Sequence, residues 1–140
     1  ARDQLANLDG DDRHLLQRLG VHLGEHVVYL PCLLKPSAVT KRAALSSAYW
    51  QSLGAAPLPR PGAVSFVPAR GQSAAVCAAL GYPVFGPRAV RADVAERVYV
   101  EAANEKTPSP ARLSSWMGCP VSQVAPVLLA MRQPLVDTGT

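Results

Sequence analysis

The sequence predicts an α+β fold: a mostly helical compact domain with two small β-hairpins and a C-terminal helix-turn-helix-like unit. Stretches with Leu, Val and Ala at helical spacing alternate with short β-branched or aromatic runs. Gly and Pro, 10 and 13 of them, punctuate the boundaries between those stretches. With 140 residues the chain has the size of one domain, large enough to bury roughly 65–70% of its unfolded surface without metal or disulfide staples. An apolar share of 49% against 17% charged places it among globular rather than disordered chains.

The elements follow in order. Residues 2–8 read as a short helix that Asp9-Gly10 breaks. Asp11 or Asp12 caps a second helix over 12–19, with Leu15, Leu16 and Leu19 on one stripe and Gly20 as its stop. Strands at 21–23 and 26–30 turn about Gly24-Glu25, and Pro31 closes the pair. Pro36 and Ser37 open the longest helix, about 37–53, which Gly54 ends. Residues 54–71 hold Pro57, Pro59, Pro61 and Pro68 and read as a stiff loop, with one short strand candidate at 64–67. A helix at 72–80 stops at Gly81, and a hairpin follows at 82–85 and 88–90 around Gly86-Pro87. The helix–hairpin stretches 12–30 and 72–91 look weakly alike. Helices at 92–104, 110–117 and 121–132 complete the chain, with Gly118-Cys119-Pro120 between the last two and Pro134 at the end.

Several classes of chemistry find no residues to carry them. There is no G-x-x-x-x-G-K-[ST], G-x-G-x-x-G or G-x-S-x-G, so neither nucleotide hydrolysis nor a serine nucleophile is expected, and no cofactor. Cys32, Cys77 and Cys119 are odd in number and lack C-x-x-C spacing, which favours buried thiols in a reducing, cytoplasmic setting. His22, His26 and Cys32 make three metal ligands only on paper, since the histidines straddle a turn; no metal is expected. The longest apolar run, 27–34, is interrupted by Pro31 and falls short of the ~20 residues of a membrane span. Ala1-Arg2-Asp3 is no signal peptide, and its helix-like start suggests a piece cut from a longer protein.

Charge is more informative. The net charge is +4, with Arg outnumbering Lys, and no acidic residue lies between Glu25 and Asp93. That stretch carries Lys35, Lys41, Arg42, Arg60, Arg70, Arg88 and Arg91. Gathered on one face, such cations attract phosphate. Lys35, Lys41, Arg42, Arg70, Arg88 and Arg91 are the candidate nucleic-acid contacts, with Tyr29, Tyr49 or Trp50 as stacking partners or core. Arg88 and Arg91 flank a tight turn and a helix start; they fit a bound phosphate or a local pair with Asp93 or Glu96 equally well.

The stretch 112–124 has the outline of a helix-turn-helix, with Leu113, Trp116, Val124, Val127 and Leu128 as its core. Its second helix offers Ser122, Gln123 and only a late Arg132, and Pro126 inside it is expected to kink it. That favours a packing or docking element over a sequence reader.

The strings LGVHLGEHVVYLPCLLKP (19–36), LGYPVFGPRAVRADVAER (80–97) and LSSWMGCPVSQVAPVLLAM (113–131), in this order, resemble the C-terminal region of a bacterial helicase-like family. That family is related to the mitochondrial degradosome type of superfamily 2 RNA helicase. Pro120 and Pro126 depart from its pattern in the final helix. The resemblance implies that an ATPase motor lies elsewhere and that residues 1–140 form a single non-catalytic accessory domain, a fragment of a larger helicase-like protein. Together with the basic middle, it leads to an expected function of binding RNA or single-stranded nucleic acid. The rival is a protein–protein docking module that braces the motor or recruits a partner. Cations on one contiguous face favour the first; scattered cations beside an exposed apolar patch favour the second.

Overall fold

A computed structural model describes residues 6–49, 59–70, 72–104 and 109–132. It is a mostly helical α+β structure with two small antiparallel sheets, as expected. The predicted loop at 54–58, Trp50, the breaks at 107–108 and Pro134 lie outside the described residues, as does most of the predicted helix at 2–8.

The first helix, α1 (Gly10–Arg18), is capped by Asp9 rather than by Asp11 or Asp12. The Asp9 carboxylate accepts from the Asp12 amide at 2.7 Å, which leaves Asp11 and Asp12 in the first turn, where the helix dipole favours acids. Strands β1 (His22–Leu23) and β2 (Val28–Tyr29) pair antiparallel, His22 opposite Tyr29 and Leu23 opposite Val28. Their link is four residues, 24–27, not the two-residue turn expected. Pro31 starts a 3-10 turn (Pro31–Leu34), and α2 (Pro36–Tyr49) follows.

Strand β3 (Ser65–Phe66) is the short strand anticipated in the proline-rich stretch. After α3 (Ala74–Ala79), capped by Ser73, come β4 (Val84–Phe85) and β5 (Arg88–Val90). The sheet order is β3-β5-β4, so β3 crosses over α3 to pair with β5, Ser65 opposite Val90 and Phe66 opposite Ala89. The helices α4 (Ala92–Asn104) and α5 (Pro110–Met117) follow. Gly118 ends α5 at φ 59°, a left-handed conformation that suits glycine, and a Cβ there would crowd Val64. A 3-10 turn (Val121–Gln123) then leads into α6 (Val124–Arg132), bent by 98° from α5. Because α6 starts at Val124, Pro126 falls in its first turn, where the missing N–H has no acceptor to leave unmet. The helix runs uninterrupted past Pro126 to Arg132.

The core lies in the C-terminal half. One cluster joins Phe85, Val90, Val94, Val98, Leu113, Met117, Val124, Val127 and Met131 across β4, β5, α4, α5 and α6. A second joins Val39, Cys77, Leu80, Tyr82 and Ala89 across α2, α3 and β5. The α1 helix contributes no buried residue, and Leu15 and Leu19 are 53% and 67% exposed. The two helix–hairpin stretches share one local geometry: Leu19 and Leu80 close their helices, followed by Gly20 and Gly81 at φ 92° and 89°. They differ in burial, since Leu80 is 2% exposed.

Candidate functional site

The acid-free stretch does not leave all its cations free at the surface. Arg88 turns inward and is 7% exposed. Its Nε and Nη2 donate to the Ser65 hydroxyl at 3.1 and 2.9 Å, and Nη1 donates to Gln123 Oε1 at 2.7 Å. Ser65 in turn donates to the Met117 carbonyl. One guanidinium thus ties β5 to β3, to the end of α5 and to the turn before α6. Arg91 chelates Asp93, Nε to Oδ1 at 2.7 Å and Nη2 to Oδ2 at 3.0 Å, and this hydrogen bonding raises its already high pKa. Of the two readings open for Arg91, the local pair is the one formed. Arg88 takes neither: its partners are an hydroxyl and an amide.

The remaining candidates spread over two places. Lys35 and Lys41 are exposed on the segment formed by the first 3-10 turn and α2, and Arg42 is half-buried beside them. Arg70 is exposed on the loop after β3. Tyr29 stacks on His22, with centroids 4.7 Å apart, so that ring already has a partner. Trp50 and the Tyr49 side chain lie outside the described residues. On α6 the outward positions are Ala125, Pro126, Leu129 and Arg132, which is no surface for reading base edges.

A different feature stands out: an open cleft of about 920 Å³ between the N-terminal elements and the rest. One wall is Leu16 of α1, Leu23, Val28 and Tyr29 of the hairpin, and Leu33 and Leu34 of the 3-10 turn. The other is Ala74 and Ala78 of α3, Pro83, Val84 and Phe85 at β4, and Ala92 and Tyr99 of α4. Among the described residues Arg42 of α2 is the one Lys, Arg, Asp or Glu in the lining. The floor is stiffened by rings. His26 stacks on Tyr99 with centroids 4.6 Å apart at 14°, and Phe85 meets Tyr99 edge-on at 5.8 Å. Burial pushes the phenols of Tyr29 and Tyr99 upward, so both remain protonated at neutral pH.

Glu96 holds the hairpin wall in place. It is 6% exposed, and its carboxylate accepts from the amides of Glu25 and Val27 at 2.7 Å each and of His26 at 3.1 Å. The four-residue turn presents three N–H groups to one acid, which explains why the hairpin departs from a two-residue link. Gly24 is required beneath it, since a Cβ there would lie 2.4 Å from the Glu96 carboxyl carbon. The sequence offers Glu96 only as a possible partner of Arg88 or Arg91, and it gives no outline of the cleft. Glu96 had a signal: it lies among Val94, Ala95 and Val98 on an otherwise apolar face. The cleft had only the surplus of leucines around α1.

Among the described residues no three of His, Cys, Asp and Glu come together, and no single helix is long and apolar enough to cross a membrane. Cys32 is exposed, while Cys77 and Cys119 are buried and their thiols pushed upward by that burial. The chain matches no family model, no curated protein and no solved structure.

Proposed function

We propose that this chain is a non-catalytic docking module whose apolar cleft receives a segment of a protein partner. The observation that carries this reading is the cleft itself: about 920 Å³, walled by aliphatic and aromatic side chains, with exposed Leu15 and Leu19 on the helix beside it. A groove of that size lies in the range of ligand and peptide sites, and apolar surface left open to water favours association. The likeness of three strings to a helicase C-terminal region makes a helicase motor the first partner to try. Binding of RNA or single-stranded nucleic acid has less support. Arg88 and Arg91 have internal partners, and Arg70 lies on a loop apart from the segment that carries Lys35 and Lys41.

Two titrations separate the readings. The neutral apolar dye Nile red is expected to bind saturably at one site and to lose that site in Leu16→Glu. A labelled single-stranded RNA is expected to show no anisotropy change at low salt. RNA binding with a log–log salt slope of about −2 to −3.5, lost in Lys35→Ala/Lys41→Ala, would overturn docking in favour of phosphate contact.

A further inference from the structure

Arg42 is the odd member of the cleft. Four other arginines of the described residues have partners within the protein. Arg88 holds Ser65 and Gln123, Arg91 holds Asp93, Arg97 lies 3.8 Å above the Trp116 ring, and Arg112 meets Glu101 at 2.6 Å. Arg42 is half-buried in an apolar lining and has no hydrogen bond or ion pair among the described residues. Its guanidinium is not cut off from water, so it stands as a solvated cation among apolar walls, and an anionic group docking in the cleft meets a complementary charge there.

Among the described residues the cleft wall supplies no such anion. The lining holds no Asp or Glu among the described residues, and its parts from the 3-10 turn, α2, α3 and β4 fall in the stretch between Glu25 and Asp93. Glu96, the buried acid among the described residues, already holds three backbone amides at the hairpin turn. Lys35 and Lys41 on the same segment add to the positive potential at Arg42. A planar, always-charged fork suits a carboxylate in particular. Resting on the docking reading, we infer that the cleft receives an apolar segment of a protein partner that carries an Asp or Glu side chain, whose carboxylate pairs with Arg42. The leucine-like part of that segment fills the walls; the acid sets its register and excludes basic or neutral competitors.

A random peptide library displayed on phage and selected against the immobilised full chain tests this. The wild type is expected to enrich peptides combining large aliphatic residues with an Asp or Glu. In the best peptide, Glu→Gln weakens anisotropy-measured binding by about tenfold or more. Arg42→Glu loses the acidic peptides and regains binding when the peptide acid becomes Lys; Arg42→Gln loses them without that reversal, and serves alone if circular dichroism shows Arg42→Glu unfolded. Aliphatic peptides enriched without an acid, or acidic ones that bind Arg42→Glu equally well, overturn the carboxylate inference and leave docking standing. No enrichment by the wild type overturns docking itself. Concentration-dependent dimers dissolved by Leu16→Glu would give the cleft to a second copy and overturn the acidic partner.

Discussion

Glu96 and Arg88 show what a single charged side chain does when turned inward with suitable partners. Each is less than one-tenth exposed, and each links segments distant in sequence: Glu96 reaches back about 70 positions to the hairpin turn, Arg88 reaches Ser65 and Gln123. Hydrogen bonds to a charged group contribute about 1.5–3 kcal/mol each, and losing one partner strands the amides that remain. Glu96→Gln keeps the shape but replaces the charged acceptor with one weak oxygen. It is expected to lower unfolding stability by about 1–3 kcal/mol. Gly24→Ala, which pushes against the same carboxylate, is expected to fall in the same direction. Urea denaturation of the two variants checks this. A Glu96→Gln midpoint equal to that of the wild type would remove Glu96 as the anchor of the hairpin.

The helices differ in what holds them. The α5–α6 corner buries Leu113, Met117, Val124 and Val127 almost completely, and Gly118 and the 3-10 turn set its 98° bend. By contrast, α1 has a good cap and acids in its first turn but no buried residue. Nine residues are too few for a helix to persist in water on its own, so α1 depends on the cleft wall it forms. Leu113→Ala is expected to destabilise by about 2–5 kcal/mol through lost burial and an unfilled cavity. Leu19→Ala is expected to stay within about 0.5 kcal/mol, as at other surface positions. Comparable losses in the two variants would contradict this division. The shared Leu-Gly geometry of the two helix–hairpin stretches sharpens the point: Leu80 found cover beneath α2, whereas Leu19 is open to water.

Over the molecule as a whole, burial raises the pKa of the Cys77 and Cys119 thiols and of the Tyr29, Tyr82 and Tyr99 phenols. The folded state therefore prefers their neutral forms. That preference acts in full below the unfolded values, about 8.5 for a thiol and about 10 for a phenol, and is lost as pH rises through the higher folded values. Tyr82 adds a specific loss, since its hydroxyl donates to the Ala63 carbonyl at 2.7 Å. The urea midpoint is expected to hold steady near neutrality, decline above about pH 8.5 and fall more steeply above about pH 10. A midpoint unchanged to pH 10.5, about half a unit above the phenol reference, would contradict that linkage.

Local chemistry was enough to read most of the elements. Ser109-Pro110, Gly118, Gly86-Pro87 and the apolar spacing of 92–104 specify their helices and turn through capping, positive φ and periodicity, all of which act within a few residues. The shortfall of acids from Glu25 to Asp93 was equally plain, but it pointed to phosphate contact and gave no outline of the cleft. Charge alone did not say which cations would face water. Arg88 and Arg70 look alike in the sequence, yet pairing β3 with β5 brought Ser65 beneath one and left the other on a loop. The turn at 24–27 likewise took its form from Glu96, about 70 residues away, and Pro126 proved harmless only because a 3-10 turn delays the start of α6. Hydrogen bonds and burial between distant segments depend on which surfaces meet, and that is decided by packing rather than by any local stretch of chain.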